Sequence, residues 1–300
     1  METLLGQGRA AIDLIVDAGS FTEGTVGART FDDPDFGPGA VVGTALLEGE
    51  TVTVIASDAE AFNEKFPVVY SGIIGLEEGY KMAQAVYATL AADAEKAAAK
   101  KRPIVLIVDT PGNGPGKVEE IFGMNKATGA YQLALAEARL AGHPIVAMVV
   151  GRAISGAFLC HGLQADRILS LTSEFQTMIH VMPITSVSRI IKKDVELLEE
   201  LAKANPVFAA GPAFFFKLGG VEQLVETIDG MRPAIVSQIA DIRKAKADAM
   251  ADGTATAPTG PRGRGALGAE RGGRTVRPRV QELLRSEFAA VEDRFRPRAG

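Results

Sequence analysis

The only cysteine of the chain, Cys160, is followed directly by one of its three histidines, His161. A thiolate with a neighbouring base is a familiar nucleophilic pair, but successive residues of a helix point about 100° apart and do not face each other. A reactive thiolate also needs an electropositive setting, and the neighbouring sequence supplies none. We therefore interpret Cys160 as a buried core residue rather than a nucleophile.

Ser155 is a second candidate nucleophile, because it lies in "GRAISGA", a relaxed form of the Gly-x-Ser-x-Gly turn that presents a hydrolase serine. A triad at this serine would take His161 or His180 as its base and Asp109 or Asp166 as its acid. Serine is also a favoured N-cap, where its hydroxyl accepts a hydrogen bond from an amide two or three residues later. We favour the N-cap interpretation, and a hydrolase stays open as an alternative.

Main-chain amides at two glycine-rich turns are a third source of chemistry. One turn is "TPGNGPGK" and the other is "GRAISG". Small residues let a ligand approach the main chain, where two N–H donors aimed at one point stabilise an oxygen that gains negative charge. Neither turn has the spacing of a P-loop or of a dinucleotide-binding loop. The predicted catalytic residues are Gly112, Asn113 (through its side-chain amide), Gly114, Gly116, Ala153, Ser155 and Gly156.

The elements that must position these turns alternate between strand and helix. "RPIVLIVD" and "HPIVAMVV" are continuously apolar, which predicts two strands buried on both faces. Each strand leads into one glycine turn and then into a helix, and this repeated order predicts an α/β fold in which the two turns are neighbours. Around them we expect a hairpin that turns at 48–50, strands in "ADRILSL" and "EFQTMIHV", a loop over 206–216 and a helix over 232–250.

Composition and charge exclude several classes of protein. The chain has 300 residues, of which 47% are hydrophobic, and this is enough for a substantial core. No apolar run approaches the ~18 residues of a membrane span, and residues 1–11 show no secretory signal. A single cysteine forms no intrachain disulfide and no cysteine-rich metal site, so we expect a cytoplasmic protein without a metal or a membrane partner. The net charge of −5 argues against nucleic acid as a partner.

The last fifty residues differ from the rest of the chain. They contain ten arginines and six acidic residues, a net charge of +4. Residues 251–276 are rich in Gly, Pro and Arg and poor in large apolar side chains, which predicts a flexible linker. Residues 277–300 repeat apolar side chains near a period of 3.6, at Val280, Leu283, Leu284, Phe288, Val291 and Phe295. This spacing predicts an amphipathic C-terminal helix that packs on a partner surface.

Several blocks of the sequence resemble one protein family. "LIVDAGSFTEG", "PIVLIVDTPGNGPGKVEE" and "PIVAMVVGRAISGAFLCHGLQADRILSL" resemble, in this order, the motif blocks of acyl-CoA carboxyltransferase halves. The last two blocks resemble the alpha-type half, which faces biotin, and the similarity runs over about 14–225. "GPGKVEEIFGMNKATGAYQLALAEAR" and "GRAISGAFLCHGLQADRI" resemble, more narrowly, the gamma subunits of biotin-independent malonate decarboxylases.

The resemblance implies a crotonase-like (ClpP/crotonase) superhelix of repeated ββα units over 1–250, which form a carboxyltransferase-like domain. It implies a carboxy-lyase that works with a homologous beta subunit, an acyl carrier protein subunit and an alpha (transferase) subunit. The beta and gamma subunits together would convert the malonyl thioester on the carrier to acetyl thioester and CO2, with backbone oxyanion holes that stabilise the enolate. The thioester prosthetic group belongs to the carrier, so no cofactor is expected on this chain.

Two alternatives within the same superfamily stay open. One is the alpha-type half of a biotin-dependent acyl-CoA carboxyltransferase, which receives carboxybiotin from another subunit. The chain has no predicted biotin attachment site of its own, because Lys81 precedes Met82 but follows Tyr80 within a helical pattern. The other alternative is a non-catalytic scaffold that completes the site of the beta subunit.

Overall fold

A mixed sheet forms the centre of the chain and carries both glycine turns. The computed structural model describes residues 3–114, 116–182, 184–204, 210–254 and 257–295. In these ranges the strands are β1 (Thr22–Glu23), β2 (Thr25–Val26), β3 (Arg29–Thr30), β4 (Ala40–Leu47), β5 (Glu50–Ser57), β6 (Ile104–Thr110), β7 (Ile145–Ile154), β8 (Arg167–Leu171), β9 (Met178–His180) and β10 (Gln223–Val225).

The sheet has the strand order β1-β4-β5-β6-β7-β8-β10, and β9 also pairs with β7. β4 is antiparallel to β1 and β5, whereas β6, β7, β8, β9 and β10 each run parallel to their neighbours. The predicted hairpin is confirmed as β4 and β5, and its turn residues Glu48 and Gly49 have φ angles of 51° and 76°. Positive φ at both turn residues is the type I′ geometry of two-residue hairpins.

Helices cover both faces of the sheet. In the described residues they are α1 (Gly8–Ile15), α2 (Leu76–Ala92), α3 (Lys117–Phe122), α4 (Met124–Leu140), α5 (Ser155–Cys160), α6 (Ile184–Ile191), α7 (Val195–Ala204), α8 (Pro212–Lys217), α9 (Met231–Ala251), α10 (Gly260–Glu270) and α11 (Arg277–Ala289). The predicted helix over 232–250 is confirmed as α9.

The central strand β6 contributes to two hydrophobic cores. Leu106 belongs to the core that contains Met82 of α2 and Tyr131 of α4, and Ile107 belongs to the core that contains Ile12 of α1. Successive side chains alternate between the faces of a strand, so neighbouring residues of β6 enter different cores. Coverage of both faces confirms the predicted α/β fold and explains why residues 104–108, within "RPIVLIVD", form an uninterrupted apolar run.

Two predictions between β8 and α9 are only partly correct. The strand expected in "EFQTMIHV" is limited to β9, because Ser173–Phe175 form a 3₁₀ turn and Gln176 has a φ of 62°. The loop expected over 206–216 is wrong from Pro212 onward, where α8 begins. Proline suits the first turn of a helix because its fixed φ is helical. Residues 205–209 lie outside the described ranges.

The linker predicted over 251–276 is wrong over 260–270, where α10 packs on the body of the protein. Arg264 of this helix is 6% exposed and donates hydrogen bonds to the carbonyl oxygens of Leu163, at 2.6 Å, and Ala165. Hydrogen bonds from a charged donor stabilise a fold by about 1.5–3 kcal/mol each. Buried arginine can therefore dock a segment whose composition is that of a linker.

A helix, α11, lies within the range predicted for the amphipathic C-terminal helix, and residues 296–300 lie outside the described ranges. No residue of α11 is buried, and Leu284 is 64% exposed. The apolar side chains of α11 are therefore not packed on the described body. None of the helices in the described ranges has the length and apolar character needed to span a bilayer.

Candidate active site

The two glycine turns lie side by side at one edge of the sheet. β6 and β7 are parallel neighbours, and Thr110 at the end of β6 pairs with Ala153 near the end of β7. The turns that follow these strands therefore meet at the same edge. A Cβ on Gly156 would lie 2.5 Å from Asn113 Oδ1 and 2.9 Å from Asn113 Nδ2. Glycine at position 156 thus lets the Asn113 side chain lie against the main chain of the second turn.

The first turn uses two of its predicted donors within the chain. The Gly114 N–H donates to the Ile74 carbonyl oxygen at 3.0 Å, and the Gly112 oxygen accepts from the Ile74 N–H at 3.1 Å. The Gly112 N–H donates to Thr110 Oγ1 at 3.4 Å. The amides of Gly112 and Gly114 are therefore occupied and do not serve as free oxyanion donors. Glycine is required at position 112 for its backbone conformation instead, because residues with a side chain rarely adopt its φ of 146°.

Gly116 and Asn113 complete the first turn. Gly116 precedes α3 in an extended conformation, and the carboxylate of Glu119 lies where a Cβ on Gly116 would be. An anionic oxygen would be repelled by that carboxylate. The side-chain amide of Asn113 makes no hydrogen bond within the described ranges. Asn113 is therefore the available donor of this turn.

Ser155 occupies a sharp elbow rather than a helix cap. It is exposed, has a φ of 56° and is the first residue of α5, while Ile154 holds the capping position and no side chain caps this end. The N-cap interpretation of Ser155 is therefore wrong. A capping residue is extended and lies one position before the helix, where its hydroxyl reaches the next turn. A left-handed φ at this serine is the geometry of a nucleophile elbow.

The candidate base His161 does not face Ser155. It is fully buried, with Nδ1 2.9 Å from the Tyr131 hydroxyl and Nε2 2.8 Å from the Ile107 carbonyl oxygen. Burial lowers the pKa of His161 to about 4. Cys160 is also fully buried, and burial raises the pKa of its thiol to about 12, which confirms its interpretation as a core residue.

The two candidate acids are engaged elsewhere. Asp109 is 2% exposed and accepts hydrogen bonds at 2.8 Å from both the main-chain N–H and the Nε of Arg152. Asp166 accepts from the Ile145 N–H at 3.0 Å and pairs with Lys246 Nζ at 3.2 Å. The described part of the chain therefore places one candidate base, His180, beside Ile154 and close to Ser155, but neither candidate acid completes a Ser-His-Asp triad there. It also holds no group of three His, Cys, Asp or Glu side chains that could bind a metal ion.

A cavity of about 130 Å³ opens beside the second turn. The residues that line it are Ser155, Gly156, Phe158, Leu159, Leu163, His180, Val181 and Phe215. Gly156 and Ala157 lie in the first turn of α5, whose N–H groups have no acceptor within the helix. Ala153, in contrast to Gly156 and Ala157, does not lie in this helix. It is fully buried in the sheet and pairs with both Thr110 and Ile179.

Two cavity residues, Phe158 and Phe215, had no role in the sequence-based site, and His180 had one only as a candidate base for Ser155. Phe158 and Phe215 meet edge to face with ring centroids 6.4 Å apart, and Phe215 comes from the segment that is predicted as a loop. His180 comes from β9, whose pairing with β7 places it beside Ile154. The one signal for His180 in the sequence is the position of "EFQTMIHV" soon after the second turn and its helix.

Comparison with known proteins shows which family the sequence of this chain matches. A family model for the malonate decarboxylase gamma subunit matches residues 70–288. The malonyl-S-ACP:biotin-protein carboxyltransferase MADD of Malonomonas rubra is 67% identical over 293 residues, which are 98% of this chain and 99% of that protein.

Solved structures agree with this comparison. A Pseudomonas malonate decarboxylase hetero-tetramer in complex with coenzyme A contains a chain that is 32% identical, with a TM-score of 0.70 and coverage of 94% of this chain and 99% of that chain. The Pseudomonas malonate decarboxylase MdcD-MdcE hetero-dimer contains a chain that is 30% identical, with a TM-score of 0.66 and coverage of 87% and 95%. The expected crotonase-like fold is confirmed by these neighbours.

Proposed function

The chain belongs to the malonate decarboxylase gamma subunit family, and we propose that it transfers the carboxyl group of a malonyl thioester to a biotin-carrying protein. The observation that carries the proposal is the 67% identity to the Malonomonas rubra carboxyltransferase, which extends over 98% of this chain. The identity to the Pseudomonas malonate decarboxylase chain is 32%. The acceptor of the carboxyl group is therefore inferred from the more similar relative.

The proposed reaction breaks one carbon–carbon bond and forms one carbon–nitrogen bond. The bond between C2 of the malonyl group and its carboxyl carbon breaks, and its electron pair passes to C2 and the thioester oxygen as an enolate. The carboxyl carbon then bonds to a ureido nitrogen of biotin, and the proton of that nitrogen replaces the carboxyl group on C2. The products are acetyl thioester and carboxybiotin, with no net oxidation and no net release of protons.

Neutral donors at the meeting point of the two turns suit this reaction. In the proposal, the Asn113 side-chain amide and the Gly156 N–H bind an oxygen of the group in transfer. A donor of this kind, positioned in advance, lowers the barrier by about 2.7–4 kcal/mol. A free cation would also stabilise the malonyl carboxylate before the reaction, which would oppose catalysis. The nearby guanidinium of Arg152 is held by Asp109, with Nε 2.8 Å from Oδ1, and so does not compete.

We further propose that a homologous beta subunit faces this site, as the hetero-dimeric structure of the Pseudomonas enzyme suggests. α3 follows the first turn and leaves Val118, Ile121 and Phe122 exposed by 51%, 72% and 69%. Apolar side chains grouped on one short helix form the kind of patch that a partner protein covers. An acyl carrier protein that bears the malonyl thioester and an alpha transferase subunit complete the proposed assembly.

A second candidate function is release of the carboxyl group as CO2 without biotin. It is favoured by the match to the malonate decarboxylase gamma subunit model and by the near-complete coverage of the Pseudomonas chain. In this reaction the same carbon–carbon bond breaks, the carboxyl carbon leaves as CO2, and water supplies the proton that C2 receives.

The deciding experiment reconstitutes the chain with its beta and carrier subunits and a biotinyl protein, and follows malonyl thioester labelled in its carboxyl carbon. The proposal predicts that the label moves to the biotinyl protein and that avidin, which sequesters biotin, stops the formation of acetyl thioester. Unchanged acetyl thioester formation under avidin, with the label lost as CO2, contradicts the proposal and supports the second candidate. A reaction without this chain is the control, and full activity in that control indicates a scaffold.

A further inference from the structure

His180 is the one ionisable side chain among the residues that line the cavity beside the second turn. β9 pairs in parallel with the end of β7, so His180 lies beside Ile154, the residue before the elbow at Ser155. The Gly211 N–H also donates to the Ile179 carbonyl oxygen at 2.8 Å. These contacts fix the strand that carries the imidazole next to the candidate site.

The imidazole of His180 has an unused nitrogen. Its Nδ1 is shielded from solvent and has no hydrogen-bond partner in the described ranges. Buried polar atoms in folded proteins nearly always have a partner, so an unpartnered nitrogen calls for an explanation. Phe158 and Phe215, which wall the cavity, provide no hydrogen bond to it. A ligand group that enters the cavity can supply the missing partner.

The other two histidines of the chain do not border this cavity. Both ring nitrogens of His161 are hydrogen-bonded, to the Tyr131 hydroxyl and to the Ile107 carbonyl oxygen. His143 precedes β7, at the end of the strand opposite the turns; its Nδ1 donates to a main-chain carbonyl oxygen at 2.8 Å, and its Nε2 also lacks a partner in the described ranges. What distinguishes His180 is therefore that its unpartnered nitrogen belongs to a residue that lines the cavity.

The surroundings of His180 favour a neutral imidazole. Burial lowers the pKa of His180 below its ordinary value, and a hydrogen bond to the Met182 main chain opposes this effect only in part. No charged side chain from the described ranges lines the cavity to oppose this effect. An imidazole that is neutral near pH 7 can accept a proton and then donate it, which is the task of a general base that becomes a general acid.

We propose that His180 is a catalytic residue that carries the proton of the carboxyl transfer, an inference that rests on the function proposed above. His180 accepts the proton that the biotin ureido nitrogen loses, and the electron pair of that N–H bond forms the new N–C bond to the carboxyl carbon. His180 then donates this proton to C2, where the electron pair from the broken C–C bond forms the new C–H bond. The imidazole returns to its neutral state, and acetyl thioester is released.

The test uses the reconstituted complex with three variants of this chain: His180→Asn, His180→Ala and Met178→Asn. Asparagine keeps a polar group in place of the imidazole but carries no proton near neutral pH. Met178 lies two residues earlier on β9 and does not line the cavity, so Met178→Asn is the matched control for damage to the strand. Acetyl thioester formation, carboxyl transfer and the co-purification of the beta subunit are measured for each variant.

We expect the kcat of His180→Asn to fall on the order of 10²–10⁴-fold, the range of general acid–base catalysis, while the KM for the malonyl carrier stays within about threefold. Met178→Asn is expected to keep the parental kcat. Imidazole added to His180→Ala is expected to restore much of the lost rate, because it can occupy the vacated space and carry the proton.

The proposal is overturned if His180→Asn keeps a kcat within about threefold of the parent, or if imidazole leaves assembled His180→Ala as slow as before. If His180→Asn no longer co-purifies with the beta subunit, rescue of His180→Ala by imidazole decides the question alone. Failure of the proposed function has a different signature, which is avidin-insensitive activity of the parent complex. The variants and the avidin experiment thus test the two proposals separately.

Discussion

Replacing Gly156 with alanine tests whether the Asn113 side chain serves as a donor. A Cβ at position 156 would lie 2.5 Å from Asn113 Oδ1, 2.9 Å from Nδ2 and 3.1 Å from Cγ. Non-bonded atoms pack at about 3.5–4.0 Å, so the Asn113 side chain has to move by roughly 1 Å. Gly156 does not have a left-handed φ, so its backbone accepts alanine. The side chain of Asn113 therefore gives way rather than the fold.

The magnitude follows from the loss of one donor. Displacement of a catalytic group by 1 Å costs about 10²-fold, and removal of an oxyanion donor costs about 10²–10³-fold. We therefore expect the kcat of Gly156→Ala to fall about 100-fold in the reconstituted complex, measured as acetyl thioester formation. The free energy of unfolding, measured with urea, is expected to change by less than about 1 kcal/mol, because alanine favours a helix over glycine.

Gly129→Ala is the matched control, because a Cβ at position 129 of α4 meets nothing within 4 Å. This change is expected to raise the free energy of unfolding by about 0.5–1 kcal/mol and to leave kcat unchanged. If displacement of Asn113 explains the loss, adding Gly156→Ala to Asn113→Ala lowers kcat by less than about threefold. An unchanged kcat in Gly156→Ala, or full additivity of the two substitutions, refutes the reasoning.

Two further substitutions test other parts of the structure. Ser155→Ala is expected to keep kcat within about threefold of the parent, and fluorophosphonate labelling that depends on Ser155 would revive the hydrolase alternative. Burial alone raises the pKa of Asp93, but hydrogen bonds from Arg102, at 2.7–2.9 Å, outweigh burial and hold it below the ordinary 3.8. A lowered pKa contributes stability that is present above about pH 4 and lost as the pH falls further. Asp93→Asn is therefore expected to lower the free energy of unfolding by about 3 kcal/mol at neutral pH, and urea denaturation that shows the same difference in acid contradicts this account.

The framework around the two turns can be predicted because its signals are local. All seven residues of β6 are buried, and the uninterrupted apolar run "IVLIV" at its start indicates a strand that is covered on both faces. Glycines mark where the main chain turns after β6 and β7, and the helices follow directly. Hydrophobic periodicity and turn residues carry this information within a few positions of the chain.

The choice of free donors and the walls of the cavity cannot be predicted in the same way. The Gly114 amide is occupied by Ile74, a residue from before α2, and nothing in "TPGNGPGK" reveals that contact. His180 and Phe215 reach the cavity from β9 and α8, through strand pairing and helix packing. Arg264 gives α10 a docking site that composition alone presents as linker. Each of these features depends on tertiary contacts between distant segments.

Asp109 connects three segments that are far apart in the chain. Its carboxylate accepts from the Gly6 N–H at 2.5 Å and from the Arg152 N–H at 2.8 Å, and its carbonyl oxygen accepts from the Ser57 hydroxyl at 2.6 Å. These contacts close loops of 103, 43 and 52 residues, respectively. Such closures cost chain entropy before the new contacts offset it, so regions built on them form late in folding. During synthesis, the contacts of Asp109 therefore stay incomplete until Arg152, 43 residues later, has left the ribosome.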